Sequence, residues 1–333
     1  MLNSVLIGIA RHARFIPEPL LRGLFACTAD VCWLLGIGGV RQLERNLRHV
    51  LGTNQTNGNL MSQRHVRRIS RRGMRSYFSY FSEAMTVGAR SEQQLHARVR
   101  GDGPGLQSLI AYVHDSTGSA PLALGHQGNW DYAGFWAHHD LAPVTAVAER
   151  LGDRKLLDAF VHIRELLGIR VVLTGQKGLT AQLKDSLGKP NVLVALLADR
   201  DLSRHGEFVE AFGSIIRVAR GPAILALDTG LPLYVANVFR EPLHGDRRRQ
   251  AGSRYGYVCR IEGPVDIERY RSLPREQAIR AISQDWVDVW SAQIARHPED
   301  WHMLQPIFLE DLDPSRLSDV PQDILARIKT AAV

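Results

Sequence analysis

From about residue 120 the chain alternates short apolar runs with longer stretches whose apolar residues return every three or four positions. Leu122–Leu124, Val144–Ala148, Val171–Leu173, Val192–Ala198, Leu233–Val238 and Tyr257–Ile261 have the length and content of strands. Between them, Leu156, Phe160, Ile163 and Leu167 fall on one helical face. Ile279, Ile282, Trp286 and Val289 mark another amphipathic helix near the C-terminus. Strands alternating with helices predict an α/β layer, because each type of element must bury its apolar face against the other. Val192–Ala198 has almost no polar residue, as expected of a central strand covered on both faces. Residues 241–254, with Arg247-Arg248-Arg249, read as an exposed loop between two strands.

Residues 1 to about 100 read as helical. Leu2, Val5, Leu6 and Ile9 share one face, and Leu20, Leu21, Leu24 and Phe25 begin a second stripe after Pro17 and Pro19. Residues 61–85 predict a third helix, rich in Arg in its first half (Arg64, Arg67, Arg68, Arg71, Arg72, Arg75) and aromatic in its second (Tyr77, Phe78, Tyr80, Phe81). The expected organisation is an N-terminal helical region, residues 1–100, continuous with an α/β core, residues 101–333. No stretch predicts a membrane span. Leu20 to Val40 carries Arg22 and Asp30, and its uninterrupted part, Val31 to Val40, is too short to cross a bilayer. The start of the chain lacks the basic segment of a secretory signal. Any contact with a membrane is therefore expected at its surface.

Composition narrows the choice of partner. Apolar content of 45% and charged content of 23% are those of a folded globular chain. The net charge of +7, carried mostly by Arg, suggests an anionic partner: nucleic acid, an acidic lipid surface or a phosphorylated substrate. The basic stretches match no nucleic-acid-binding pattern, so nucleic acid is not expected. Cys27, Cys32 and Cys259 form neither a disulfide framework nor a zinc pattern, and are expected to be free thiols in a reducing, cytoplasmic setting.

The candidate chemistry begins at His126-Gln127-Gly128-Asn129-Trp130-Asp131, after the strand ending at Leu124. On one continuous helix His126 and Asp131 would stand about 140° apart. With His126 in the turn and Asp131 in the first helical turns, the carboxylate can reach back and accept the Nδ1 proton. The other ring nitrogen is then left to take a proton from an alcohol. Two more strand-like runs end in charge: Val144–Ala148 in Glu149-Arg150, and Val192–Ala198 in Asp199-Arg200-Asp201. In a parallel sheet such ends converge on one crevice. Taken separately, each of these features has a structural reading as good as the catalytic one.

Order along the chain makes the reading specific. Arg41-Gln42-Leu43-Glu44-Arg45-Asn46-Leu47, the His126–Asp131 segment, Val147-Ala148-Glu149-Arg150-Leu151, Arg164-Glu165-Leu166-Leu167-Gly168, Ala198-Asp199-Arg200-Asp201-Leu202, Phe212-Gly213, Gly221-Pro222-Ala223 and Trp301-His302-Met303-Leu304-Gln305-Pro306 occur in sequence over residues 40–306. On these stretches the chain resembles the phosphatidylinositol mannoside acyltransferases, within the wider family of lipid A biosynthesis-type acyltransferases.

The resemblance implies an α/β acyltransferase core with helices on both sides of the sheet. It implies acyl-CoA, usually palmitoyl-CoA, as co-substrate and no other cofactor or metal. The acceptor is expected to be a mannose hydroxyl of a phosphatidylinositol mannoside at an anionic membrane surface, with the protein peripheral on the cytoplasmic face. His126, Asp131, Glu149, Arg164 and Asp199 match the family's functional positions. The family usually carries Glu where this chain has Asp199, which keeps the charge and loses one methylene of reach. The expected mechanism is direct transfer. His126 is the base; Asp131 and Asp199 hold the imidazole; Arg164, Arg200 or backbone N–H groups after His126 stabilise the oxyanion. Three alternatives stay open: a lipid A-type or lysophospholipid acyltransferase with another acceptor or an acyl carrier protein donor, a thioester hydrolase, and a non-catalytic basic module.

Overall fold

The computed structural model describes residues 16–52, 62–150, 152–201, 205–313, 320–322 and 324. The face expected on Leu2, Val5, Leu6 and Ile9 lies outside them, as do Leu151 and Leu202.

Among the described residues, four α-helices come first: α1 (Glu18–Leu35), α2 (Val40–Gly52), α3 (Gln63–Thr86) and α4 (Glu92–Arg98). Alternating elements follow: β1 (Val99–Asp102), α5 (Leu106–His114), β2 (Ala120–Leu124), α6 (Trp130–Asp140), β3 (Val144–Ala148), α7 (Arg154–Leu166), β4 (Arg170–Leu173), α8 (Leu179–Leu187) and β5 (Leu193–Leu197). After these come β6 (Glu207–Ala211), β7 (Ser214–Val218), α9 (Gly221–Thr229), β8 (Leu233–Pro242), α10 (Gly245–Ala251), β9 (Tyr255–Val265) and α11 (Arg275–Ile294).

The main sheet has seven strands in the order β1-β9-β8-β2-β5-β3-β4. Strands β8, β2, β5, β3 and β4 are mutually parallel; β9 runs against β8, and β1 runs with β9. The apolar run at 192–198 is β5, between β2 and β3 in the middle of the sheet. Strand side chains alternate between faces. Leu122, Leu124, Val144, Leu193 and Ile261 face α5 and α6, meeting Leu109, Val113, Tyr132, Phe135 and Trp136. Ala123 and Val235 face α9 and α11, where Trp286 and Trp290 lie fully buried. Val172, Val194 and Leu196 meet Leu183 and Leu187 of α8. The sheet is thus covered by helices on both sides.

The N-terminal helices pack onto this core. Leu21, Phe25 and Ala29 of α1 are buried, and Gly36 (φ 64°) closes the helix in the left-handed conformation. α3 bonds into the core at Ser76, Tyr80 and Glu83. Among the described residues, no single helix is long and apolar enough to cross a membrane.

Periodicity missed three strands. One is the edge strand β1; the others form the hairpin β6–β7, whose two-residue turn at Phe212 (φ 55°) and Gly213 (φ 71°) has the mirror-image form that suits strand twist. Residues 241–254 are not simply an exposed loop. They contain α10, with Leu243 and Ala251 buried, and Arg247 donates through Nε to the Ala97 carbonyl at 2.9 Å. An arginine run looks solvent-facing by composition, but here one arginine in three is turned inward by a local helix.

Candidate active site

β2 ends at Leu124, and the chain must turn into α6 within five residues. Gly125 permits this: a Cβ there would stand 2.5 Å from Trp290 Nε1 and 3.0 Å from Asp199 Oδ2. Gly128 takes φ +56°, and a Cβ would meet the Val238 carbonyl oxygen at 2.6 Å. Asn129 then caps α6 by accepting from the Tyr132 N–H at 3.0 Å. The turn is strapped to the C-terminal segment by two backbone bonds, Gly128 N–H to Asp300 O (2.8 Å) and His302 N–H to His126 O (2.7 Å). His126 therefore sits in a fixed strand-to-helix turn, with its side chain partly exposed.

Asp199, two residues beyond the end of β5, the parallel neighbour of β2, is fully buried beneath this turn. Its Oδ1 lies 2.6 Å from His126 Nδ1. Its Oδ2 accepts the His126 backbone N–H at 2.9 Å and the Trp301 indole N–H at 3.0 Å. Burial pushes the Asp199 carboxyl up, but the facing imidazole and these three hydrogen bonds hold it below the ordinary carboxylate range. An ionised carboxylate only accepts, so Nδ1 carries the hydrogen, and in the neutral ring Nε2 is the nitrogen with the lone pair.

Asp131 does not meet His126. Its Oδ1 accepts from Arg164 Nε at 2.8 Å and its Oδ2 from the Tyr80 hydroxyl at 2.8 Å. The placement of His126 in the turn was anticipated; the reach of Asp131 back to it was not realised. The helix carries Asp131 toward α3 and α7, where two donors satisfy it. The carboxylate that orients the ring comes from β5, and the shorter Asp199 spans the gap.

Glu149 and Arg200, from the ends of β3 and β5, pair across the rim: Arg200 donates to Glu149 Oε2 at 2.9 Å and also to Gln305 Oε1. His126, Glu149, Arg164 and Arg200 all line one cavity of about 1010 Å³, at the upper limit of ordinary small-molecule sites. Behind the rim the lining is apolar. Leu122, Leu124, Ala146 and Ala195 supply the sheet side, and Ala133, Gly134 and Ala137 of α6 the other. Small residues on α6 keep the helix from filling the space over the sheet. Ala195 and Leu197 are for that reason only half-buried in a central strand. Cys259 also lines the cavity, and burial pushes its thiol up to about 12.

Reading the sequence did not single out the residues that hold this turn from behind. Trp301 binds Asp199; Glu83 accepts from Asn129 Nδ2 (2.8 Å) and from the Tyr257 hydroxyl (2.7 Å). His302 bonds Ser76 at 3.0 Å, and Ser76 donates to Asp300 at 2.7 Å. Burial, with the nearby Arg240 charge, pulls the His302 ring down to about 3, so it is a neutral strut. The one available signal was the string Trp301-His302-Met303, whose role depends on contacts more than 100 residues away in sequence.

Comparison with known proteins places the chain in a family. Residues 1–310 match the family model described as bacterial lipid A biosynthesis acyltransferase. The chain is 33% identical over 307 residues to a phosphatidylinositol mannoside acyltransferase of Mycolicibacterium smegmatis, covering 92% of this chain and 91% of that protein. It is 33% identical over 308 residues to the protein of the same name from Mycobacterium tuberculosis H37Rv, covering 91% and 87%. The family match spans nearly the whole chain, and about nine-tenths of the chain aligns with these relatives. The chain therefore belongs to the bacterial lipid A biosynthesis acyltransferase family and is an acyltransferase.

Proposed function

We propose that this enzyme transfers a fatty acyl group, palmitoyl in the first instance, from acyl-CoA to a mannose hydroxyl of a phosphatidylinositol mannoside. The observation that carries the reading is the His126–Asp199 contact at the mouth of a deep apolar cavity. The shared name of the two relatives motivates the acceptor. The acyl chain lies along the sheet with its thioester at His126. His126 Nε2 takes the hydroxyl proton as the oxygen attacks the carbonyl carbon. The C–S bond then breaks, and the thiolate recovers that proton from the imidazolium. Asp199 holds the ring and balances its charge.

The N-terminus of α6, whose first N–H groups lack helical partners, is the preferred oxyanion stabiliser. Arg164, held by Asp131, and Arg200, paired with Glu149, act on substrate at the rim. Asp131 is a positioning residue in this scheme. The buried Cys259 thiol is a poor nucleophile near neutral pH, which supports direct transfer over an acyl-enzyme. No cofactor or metal takes part in the chemistry.

The enzyme works from the cytoplasmic face as a peripheral protein. Leu20, Leu24, Val31, Leu34 and Leu35 form an exposed stripe along α1 (67, 56, 51, 68 and 63% exposed). Arg64, Arg68 and Arg72 stand exposed on the neighbouring α3. Apolar insertion beside basic side chains suits an anionic leaflet.

Mass spectrometry of products from palmitoyl-CoA with mono- and dimannosylated phosphatidylinositol tests the reading. Acylated mannolipid is expected, and none with His126→Ala. Transfer to lipid A precursors alone, or release of free fatty acid undiminished by added acceptor, overturns it.

A further inference from the structure

At the end of α6 remote from His126, about 15 Å along a helix of this length, two histidines and two carboxylates stand together. Glu92 and His96 are one turn apart on α4, and His139 and Asp140 end α6. Glu92 Oε1 lies 3.7 Å from His96 Nε2 and 3.7 Å from His139 Nδ1. One donor atom from each of Glu92, His96 and His139 falls within 4.8 Å of the others. The second nitrogen of His96, Nδ1, is 3.5 Å from Asp140 Oδ2. Phe135 packs against both rings, at 4.9 Å from His96 and 4.4 Å from His139, which limits where they turn.

We propose that Glu92, His96 and His139 bind one divalent transition-metal ion, zinc or a close analogue, with Asp140 orienting His96 from behind. Two imidazoles and a carboxylate are a borderline donor set that favours zinc, cobalt, nickel or copper over magnesium or calcium. Tetrahedral zinc with bonds of about 2.0–2.1 Å places its ligand atoms roughly 3.3 Å apart, so these donors draw in modestly. All three are at least partly exposed and free to do so. A carboxylate on the far nitrogen of a metal-binding histidine fixes the tautomer that ligation needs. Two carboxylates beside two neutral imidazoles also match the charge of a divalent ion. Solvent supplies the fourth ligand. The ion would clip α4 to α6, and α6 forms one wall of the cavity, so the site is structural and stands apart from the transfer chemistry.

The test uses tag-free full-length protein stripped with chelator and titrated calorimetrically with Zn²⁺, Co²⁺ and Mg²⁺, alongside thermal melting. One Zn²⁺ per chain is expected, with a raised melting temperature and a tetrahedral-type visible spectrum for Co²⁺. His96→Gln and His139→Gln each weaken binding at least about tenfold, the double variant abolishes both binding and the thermal shift, and Asp140→Asn weakens it about 10–100-fold. His244→Ala, an exposed histidine elsewhere, leaves binding unchanged. Absence of saturable Zn²⁺ binding, equal binding of Mg²⁺, or full binding by the folded double variant overturns the proposal.

Discussion

Asp199 gathers three hydrogen bonds on a side chain with no solvent exposure, and each donor comes from a different kind of group: an imidazole, a backbone amide and an indole. That arrangement keeps it ionised and keeps the His126 ring in one tautomer. Asp199→Asn preserves the shape and removes the charge. We expect kcat to fall by about 10²–10⁴ with little change in KM, measured under saturating donor; a loss under threefold would remove Asp199 from the catalytic scheme. His302 predicts a pH effect on stability. Its ring titrates near 3 in the folded protein against 6.5 when free. Below 6.5 the unfolded chain takes up a proton that the folded chain refuses, so stability is lost as pH falls from 6.5 toward 3. His138 and His297, also lowered by burial, act in the same direction as pH falls below 6.5. Asp199 has the same sign at lower pH: its lowered value contributes stability above about 3.8 that is lost as pH falls through its folded value. Thermal melting from about pH 7 to about pH 5 should therefore fall less steeply for His302→Asn than for the parent protein.

α6 joins the reactive turn to the cavity wall, and both functions depend on small side chains. Gly125→Ala would press a methyl against Trp290 and Asp199. Overpacking of this kind costs about 1–3 kcal/mol, and here it falls on the carboxylate that orients His126. Reduced kcat with a lower melting temperature is the expected result. In the sheet, Ala195 lies in register between Leu122 and Ala146 at the middle of the cavity floor. Ala195→Phe should fill that floor. A panel of acyl-CoA donors should then shift by at least about tenfold in kcat/KM toward short chains; an unchanged preference would place the acyl chain elsewhere.

Across the whole molecule, α1 is split between two environments. Leu21, Phe25 and Ala29 are buried against the rest of the protein, while Leu20, Leu24, Val31, Leu34 and Leu35 remain exposed. Each exposed leucine that enters a lipid interface contributes on the order of 1.5–3 kcal/mol at full burial. Leu24→Glu with Leu34→Glu should lower co-sedimentation with anionic vesicles by at least about tenfold, while leaving activity on detergent-dispersed acceptor near the parent level. Retained vesicle binding would move the membrane face away from α1. Sedimentation should also weaken with salt, because the basic residues of α3 act over a Debye length of about 8–10 Å.

The alternating apolar runs determined the α/β class and six of the strands, because a two-sided sheet leaves a local mark in composition. The turn at His126 was legible too, since a strand, two glycines and a cap residue occur within ten positions. The sequence also brought out Glu149, Arg164, Asp199 and Arg200 as candidates. What it did not determine was who touches whom. Asp131 is near His126 in sequence and bonds to α3 and α7; Asp199 is 73 residues away and holds the ring. Strand order decided that: β5 returns to lie beside β2, so the residues after both strands meet at one edge. Hydrophobic periodicity reports which face of an element is buried. It carries no information about which element lies next to it, and that adjacency is what assembles the site.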